Sequence, residues 1–306
     1  MKCKLFKRVA AAALSLATVA SLMLQPVTTQ AAETTPKQTV INYLALGDSI
    51  SEGSDSFVKY IDAYLKPKAT YYNHLNYAYS GMRSKDVVTL LTGSQYAAQA
   101  KTYIQNSTVI TLDIGGNDIM VTALEVVVKE LGARDIYSIG DAVQSWQNKF
   151  NSATNPWQKL YVGAQLAYTC YRINSKLMYG TELKTAVSNY KTNLNTILKT
   201  IHNWNPDCKV YIGNVYGTKL TLPTYDVGGY TILDLNSFAS TWIPQINKII
   251  SDTAPSYGYK VIDVNSVMNS TSYVIGGDIR SYNIHPSEAG KKVISNAYLN
   301  YIKKDF

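Results

Sequence analysis

The segment Ile41–Gly53, INYLALGDSISEG, decides how the rest of the sequence is interpreted. Its apolar run predicts a buried strand that ends at Gly47, directly before Asp48 and Ser49. In an open parallel α/β sheet, ligands bind at the carboxyl ends of the strands, so Ser49 is a candidate nucleophile. On this tripeptide alone, an ordinary turn with a helix cap is the commoner explanation. The remaining sequence has to distinguish a catalytic serine from an ordinary turn.

The hydrophobic pattern predicts strands that alternate with helices. This arrangement is typical of βαβ units and a parallel sheet. The region 119–206 has helical spacing throughout, and a glycine-bearing loop is expected around Gly228-Gly229. Because no linker composition interrupts the chain, we predict one domain. The five predicted strands are Val40–Leu46, Thr70–Tyr77, Val109–Ile114, Cys208–Val215 and Tyr259–Val264.

The first 31 residues have the three parts of a secretory signal peptide. A basic start precedes the apolar stretch 9–24, and small residues at 29–32 offer a cleavage site. An uncleaved membrane anchor is the alternative, but the apolar run is short for a bilayer span and ends at Pro26. We therefore predict a signal peptide over 1–31, a mature domain over 32–306, and a secreted chain without a stable membrane anchor.

Charge and cysteine content limit the classes of partner. Residues 1–31 carry four basic and no acidic side chains, so cleavage lowers the net charge from +8 to +4. The remaining basic residues are dispersed, and no nucleic-acid partner is expected. In the mature chain, Cys170 and Cys208 allow either one disulfide or two buried thiols.

Three histidines, His74, His202 and His285, are available as the base that a serine nucleophile needs. His74 lies in the second predicted strand, and His202 lies late in a helix, where a cap or a solvent-facing role is the simpler explanation. His285 follows the last predicted strand and can reach the carboxyl edge of the sheet, although an exposed loop histidine would give the same pattern. The three lack the spacing of metal ligands, so no metal site is expected.

Acyl transfer to a serine also needs hydrogen-bond donors for an oxyanion. Gly81 follows the second predicted strand and Asn117 follows the third, so a backbone N–H and a side-chain amide can face the same edge as Ser49. Each residue is also a common turn former. The convergence of all three at the ends of different parallel strands favours the catalytic interpretation.

Four sequence blocks, in this order, resemble those of the SGNH (GDSL-type) esterases and lipases. They are GDSISEG at 47–53, NYAYSG at 76–81, IGGND at 114–118, and His285-Pro286. The resemblance spans residues 40–304 and implies a flavodoxin-like three-layer α/β/α sandwich with a five-stranded parallel sheet. It implies cofactor-free ester hydrolysis with Ser49 as nucleophile and His285 as base. It also implies that Ser49, Gly81 and Asn117 hold the oxyanion.

One position departs from the family pattern. The family has an aspartate three residues before the histidine, where this sequence has Tyr282. A histidine base needs an acceptor on its far nitrogen to fix the tautomer. We expect the backbone carbonyl of Tyr282 or the side chain of Asp278 to supply it. A neutral acceptor stabilises the imidazolium less than a carboxylate, which predicts a working but slower enzyme.

Together these features predict a secreted serine esterase. Candidate substrates are O-acetyl groups on extracellular or cell-wall glycans and short-chain acyl esters. The 25 tyrosines favour carbohydrate esters, because each offers an apolar ring with a polar tip. A lipase or phospholipase of the same fold is one alternative, and it needs an apolar groove that the sequence does not reveal. A non-catalytic glycan-binding protein is the other, favoured by the missing aspartate and opposed by the intact serine, glycine, asparagine and histidine.

Overall fold

The computed structural model describes residues 39–222, 224–276 and 283–306 of the chain. The predicted signal peptide, residues 1–31, lies outside these ranges, as do Asp278 and Tyr282. Among the described residues, no helix is both long enough and apolar enough to cross a bilayer.

Strands and helices alternate along the described chain. The strands are β1 (Val40–Gly47), β2 (Tyr71–Asn76), β3 (Val109–Asp113), β4 (Lys209–Gly213), β5 (Thr224–Val227), β6 (Tyr230–Asp234), β7 (Lys260–Ile262), β8 (Val274–Gly276) and β9 (Asn283–Pro286). The helices are α1 (Val58–Leu65), α2 (Ser84–Thr92), α3 (Ala97–Asn106), α4 (Gly116–Leu131), α5 (Ile139–Ser152), α6 (Pro156–Tyr179), α7 (Thr181–Trp204), α8 (Leu235–Thr253), α9 (Val264–Val267) and α10 (Glu288–Asp305).

Five parallel strands form the central sheet in the order β2-β1-β3-β4-β7, which is the flavodoxin-type order. On one side of the sheet, α1 packs against α10, while α2, α3 and α8 pack against α7. Right-handed crossovers place these two groups of helices on opposite faces. The predicted three-layer α/β/α fold with five parallel strands is therefore confirmed, and each predicted strand overlaps an observed one.

The central strand β1 is buried along almost its whole length, because both faces of a parallel sheet are covered by helices. At its carboxyl end, Gly47 pairs with Asp113 at the end of β3. A Cβ atom on Gly47 would lie 2.6 Å from the carbonyl oxygen of Asp113. Only glycine fits there, and the two strands approach closely where the candidate site begins.

An antiparallel hairpin of β5 and β6 replaces the loop expected around Gly228-Gly229. Both glycines have positive φ, 55° and 82°, which is the conformation of a two-residue hairpin turn. The hairpin packs against α5 and α6 of the helical region between β3 and β4. The loop prediction was wrong here, since the two glycines turn the chain back on itself between short strands.

Cys170 and Cys208 are separate buried thiols and form no disulfide with each other. Cys170 lies in α6, and Cys208 directly precedes β4. Burial raises the pKa of Cys170 to about 11 and that of Cys208 to about 12. Both thiols therefore stay protonated at physiological pH. Of the two alternatives from the sequence, a disulfide and two buried thiols, the structure shows the two buried thiols.

Candidate active site

A tight turn after β1 presents Ser49 at the carboxyl edge of the sheet. The backbone N–H of Asp48 donates to the carbonyl oxygen of Asp113 at 3.2 Å, which ties the start of the turn to β3. The Asp48 carboxylate accepts the N–H of Ile50 at 3.0 Å and closes the turn around Ser49. Asp48 therefore has a structural role in the turn.

Ser49 and His285 meet at this edge although 236 residues separate them. The Oγ atom of Ser49 lies 2.8 Å from Nε2 of His285, within hydrogen-bond distance. Strand β9 carries the histidine, and the hydroxyl of Tyr216 donates to the carbonyl of Ile284 beside it at 2.6 Å. The structure thus brings together the two residues that the sequence predicted as nucleophile and base.

The far nitrogen of His285 is held by Asn283, a residue that the sequence analysis missed. Nδ1 of His285 lies 2.6 Å from Oδ1 of Asn283, and the backbone N–H of His285 donates to the same oxygen at 2.9 Å. A backbone N–H is always a donor, so the amide atom facing it must be the oxygen. The acceptor is therefore the side chain of Asn283, and the two expected sources, Tyr282 and Asp278, lie outside the described residues.

This contact sets the tautomer of His285. The amide oxygen of Asn283 only accepts, so Nδ1 carries the proton and Nε2 keeps the lone pair that faces Ser49. Burial lowers the pKa of His285 below its ordinary value. A carboxylate at position 283 would oppose that effect, whereas a neutral amide does not. The imidazole therefore stays neutral, and able to accept a proton, at pH values where a free histidine is already charged.

The predicted oxyanion donors lie around this edge, and they differ in whether they already donate a hydrogen bond. Gly81 lies in an exposed turn with φ of 78°, closed by the N–H of Met82 and the carbonyl of Tyr79 at 3.0 Å. Asn117 lies at the start of α4, and its amide nitrogen donates to Asp48 at 3.1 Å and to the carbonyl of Met82 at 3.2 Å. Within the described part of the chain, the backbone N–H groups of Ser49 and Gly81 have no hydrogen-bond partner, while the Asn117 amide is engaged.

Two buried carboxyl groups lie under the turn that carries Ser49. Burial raises the pKa of Asp48 well above its ordinary value, and repulsion from Asp113 adds to the shift. Burial also raises the pKa of Asp113 to about 6, against a hydrogen bond from the hydroxyl of Ser51 at 3.2 Å. The raised pKa of Asp48 limits negative charge beside the reactive hydroxyl, whereas Asp113, with a pKa of about 6, is charged above that pH.

Asp118 also has a structural role. Its carboxylate accepts the backbone N–H of Ser84 at 2.9 Å, which joins the first turn of α4 to the start of α2. This contact holds the neighbouring Asn117 at the edge of the sheet.

An apolar cavity of about 230 Å³ extends from Ser49 and His285 into the protein. Its walls come from α4, from the segment after β4, and from α8. Aliphatic and aromatic side chains dominate the lining, and they are Ile50, Ile119, Met120, Val215, Leu220, Leu222, Leu235, Phe238, Ala239 and Ile243. Asn117 and Asp48 also line it, whereas Gly81 does not. The sequence analysis did not find this cavity, because its walls come from three distant segments.

The other two histidines lie away from this site. Nδ1 of His74 is 2.9 Å from the carboxylate of Asp62, and the imidazole of His202 packs against Tyr257 and Tyr259. Across the ranges that the structure describes, no group of histidine, cysteine, aspartate and glutamate side chains is arranged to hold a metal ion.

A hydroxyl and an imidazole at the carboxyl edge of a parallel α/β sheet, beside an apolar cavity, suit the hydrolysis of acyl esters. The sequence profile of the GDSL-like lipase/acylhydrolase family matches residues 45–293. The chain belongs to this family of ester hydrolases, which confirms the resemblance found in the four sequence blocks.

Solved structures show the same fold. A lipase from a goat rumen metagenome is 16% identical, with a TM-score of 0.52 over 85% of this chain and 96% of the lipase. Phospholipase A1 from Streptomyces albidoflavus is 15% identical, with a TM-score of 0.50 over 88% of this chain and all of the phospholipase. None of the curated protein sequences matches this chain.

Replacing Asn283 by Asp should raise the pKa of His285, because a carboxylate on Nδ1 stabilises the imidazolium. We expect the acid limb of the pH profile of kcat/KM for ester hydrolysis to move up by about one pH unit. Asn283→Ala should lower kcat by about a hundredfold, since the tautomer is no longer held. Asn300→Asp, which adds the same charge at an exposed position of α10, is the control. An unchanged acid limb in Asn283→Asp would contradict the assignment.

Replacing Asp113 by Asn should change how stability depends on pH. The native pKa of about 6 lies above the ordinary 3.8, so the folded state binds more protons between these values and wild-type stability falls as pH rises through them. Asp113→Asn removes this loss. We therefore measure the Tm of the variant minus the Tm of wild type at each pH. This difference should be about 5 °C larger at pH 7.5 than at pH 4. Asp207→Asn, at an exposed position, serves as control. Parallel curves of Tm against pH for Asp113→Asn and wild type would exclude a raised native pKa.

Proposed function

We propose that this chain hydrolyses carboxylic esters with a medium-length acyl group, with Ser49 as nucleophile and His285 as general base. The observation that carries the proposal is the 2.8 Å contact between these residues where both line an apolar cavity. The contact supplies an activated hydroxyl, and the cavity supplies a place for the acyl chain.

In the first step, the lone pair on Nε2 of His285 takes the hydroxyl proton of Ser49 as its oxygen attacks the ester carbonyl. The resulting imidazolium then protonates the leaving alcohol, and an acyl-enzyme remains. Water attacks this acyl group in the second step and gives its proton to His285, which passes it to Oγ of Ser49 as the acid leaves. Throughout, Asn283 keeps the ring oriented and the proton on Nδ1.

The oxyanion that forms in each step needs donors. The N–H groups of Ser49 and Gly81 are available, and Asn117 joins them by exchanging its 3.2 Å bond to the Met82 carbonyl for the substrate oxygen. One such donor contributes about 100- to 1,000-fold to kcat. The raised pKa of the buried Asp48 carboxyl helps, because a full negative charge at that position would repel the oxyanion.

The cavity favours an acyl chain over an acetyl group. At about 230 Å³ it exceeds the cavity of about 150 Å³ that takes up a benzene ring, and scaling the six ring carbons by volume gives room for about nine carbons. An acetyl group would leave most of this apolar space unfilled. The lipase or phospholipase alternative from the sequence, which required such a space, is therefore our first choice of substrate class.

The prediction of a carbohydrate ester depended on the number of tyrosines. Tyr216 is the one tyrosine among the described residues that line the cavity, whereas Tyr161, Tyr168 and Tyr171 lie exposed on α6. The tyrosine content therefore gives no specific support for a sugar beside Ser49. O-acetyl glycans stay a prediction from sequence, and the acetate arm of the substrate series below tests it.

The basic and apolar pattern of the first 31 residues supports export of this hydrolase. We propose that these residues are removed as a signal peptide and that 32–306 form the secreted hydrolase domain. An ester of an extracellular lipid is then the substrate class within reach of the enzyme.

A series of p-nitrophenyl esters from acetate to dodecanoate tests the proposed function. We expect kcat/KM to rise about fourfold per methylene, because burying one CH₂ contributes about 0.8 kcal/mol. The rise should stop at about nine carbons, where the cavity is filled. Ser49→Ala and His285→Ala should each lose about a thousandfold or more with Tm unchanged, and only wild type should be labelled by a fluorophosphonate at Ser49. Absence of labelling and of hydrolysis would favour the binding-protein alternative.

Filling the cavity tests where the acyl chain binds. Ala239 in α8 lines the cavity, and Ala239→Leu places three more carbons inside it. We expect kcat/KM for octanoate to fall by about tenfold or more, while that for acetate stays within about twofold. Ser240→Leu, at the adjacent exposed position of α8, should leave both unchanged. Equal losses on acetate and octanoate would show that the acyl chain lies elsewhere.

A further inference from the structure

Helix α6 has two apolar faces, and the described structure covers one of them. Its inner face is buried against the protein at 163, 166, 170, 173 and 177, spaced three and four residues apart. Large apolar side chains on the outer part of the helix are between 61% and 80% exposed, and they are Trp157, Leu160, Tyr161, Tyr168, Tyr171 and Tyr179. We call these six side chains the aromatic stripe. A helix that is apolar on both sides has a second apolar partner, either protein or lipid.

The stripe extends over about 33 Å along the helix, from position 157 to 179. Exposed apolar residues normally occur singly, and a contiguous row of this length marks an interaction surface. Tyrosine and tryptophan have an apolar ring and a polar tip, the combination enriched where proteins meet the membrane–water interface. Leu160 adds an aliphatic side chain, which inserts into lipid and has no ring for stacking on a sugar.

The charges on α6 favour an anionic surface. The helix contains Lys159, Arg172 and Lys176 and no aspartate or glutamate. Arg172 and Lys176 form ion pairs at 2.8 and 2.7 Å with Glu130, whose side chain is almost fully buried. The basic groups, not the carboxylate, are therefore presented to solvent. An amphipathic helix with Trp, Tyr and Leu on one side and basic flanks is the pattern of a helix that lies flat in a lipid interface.

The helix is also connected to the cavity beside Ser49. The side chain of Asn174 donates to the carbonyl of Thr231 at 2.9 Å, which fixes α6 to the β5–β6 hairpin. Cavity-lining residues lie at both ends of this hairpin, with Leu222 just before β5 and Leu235 directly after β6. A surface bound by α6 would thus be held next to the segments that form the acyl cavity.

We propose that the aromatic stripe of α6 docks the protein on a lipid surface that contains anionic headgroups. The outer side chains enter the headgroup region, and Arg172 and Lys176, beside the stripe, contact the anionic groups. This is reversible adsorption, distinct from the anchoring that the sequence argues against. It goes beyond the proposed hydrolysis, because binding requires neither Ser49 nor His285.

The test uses the mature chain, residues 32–306, with Ser49→Ala so that vesicles stay intact. Sedimentation with vesicles of equal parts phosphatidylglycerol and phosphatidylcholine measures the partition coefficient. Tyr168→Ser/Tyr171→Ser should lower it by about tenfold. Tyr71→Ser/Tyr301→Ser, a double change at exposed tyrosines elsewhere, should leave it within about twofold. Arg172→Gln, which leaves Glu130 paired with Lys176, should lower it by about fivefold on anionic vesicles and leave it unchanged on phosphatidylcholine alone.

Each double variant is also made with Ser49 intact and assayed on a soluble p-nitrophenyl ester. Unchanged kcat/KM shows that the fold and site are intact, and vesicle binding by a chain that hydrolyses nothing would refute the proposed function alone. Failure of the parent chain to bind anionic vesicles would overturn the docking proposal. So would equal losses in the two double variants. A loss of polysaccharide binding, or of a dimer in light scattering, with vesicle binding unchanged would assign the stripe to another partner.

Discussion

The close approach of β1 and β3 at their carboxyl ends is the constraint on which the site depends. Gly47 pairs with Asp113 without room for a side chain, so the turn that carries Ser49 starts directly against β3. The same approach buries Asp113 beside Asp48 and places the start of α4, with Asn117, next to the turn. A larger residue at position 47 would separate the two strands. It would thereby displace Ser49, the carboxyls of Asp48 and Asp113, and the amide of Asn117 all at once.

The charge balance of the site follows from this packing. Asp48 and Asp113 are already buried near the position where an oxyanion would form, and burial raises the pKa of each. A third carboxylate at position 283 would add negative charge to the same region. Asn283 instead orients His285 through a neutral oxygen. Because this amide carries no charge, it does not raise the pKa of His285, which burial lowers. The site therefore gains a base that stays neutral at lower pH, and it gives up part of the stabilisation of the imidazolium.

Much of the fold could be predicted from sequence, because parallel strands buried on both faces are continuous apolar runs. The contact of Ser49 with His285 was also predictable, since both follow strand ends. Asn283 was missed because residues 283–286 were interpreted as loop. They form β9, in which side chains two residues apart point to the same face, so position 283 is where a partner of His285 belongs. The β5–β6 hairpin was missed although its Gly-Gly turn lies between alternating apolar residues, which is a hairpin signal.

The positions of the tyrosines in α6 say more about a binding partner than the number of tyrosines in the sequence. The total of 25 tyrosines favoured sugar binding, yet a count cannot distinguish tyrosines at a site from those on an outer helix face. In the structure, Tyr168 and Tyr171 lie on the face opposite the buried Cys170 and Ile173, so helix geometry alone directs them outward. An apolar cavity beside Ser49 and an apolar outer face on α6 are two separate observations. The apolar cavity supports the proposal of a lipid ester over a carbohydrate ester, and on α6 the aliphatic Leu160 and the basic side chains beside the aromatic rings support the proposal of a lipid surface.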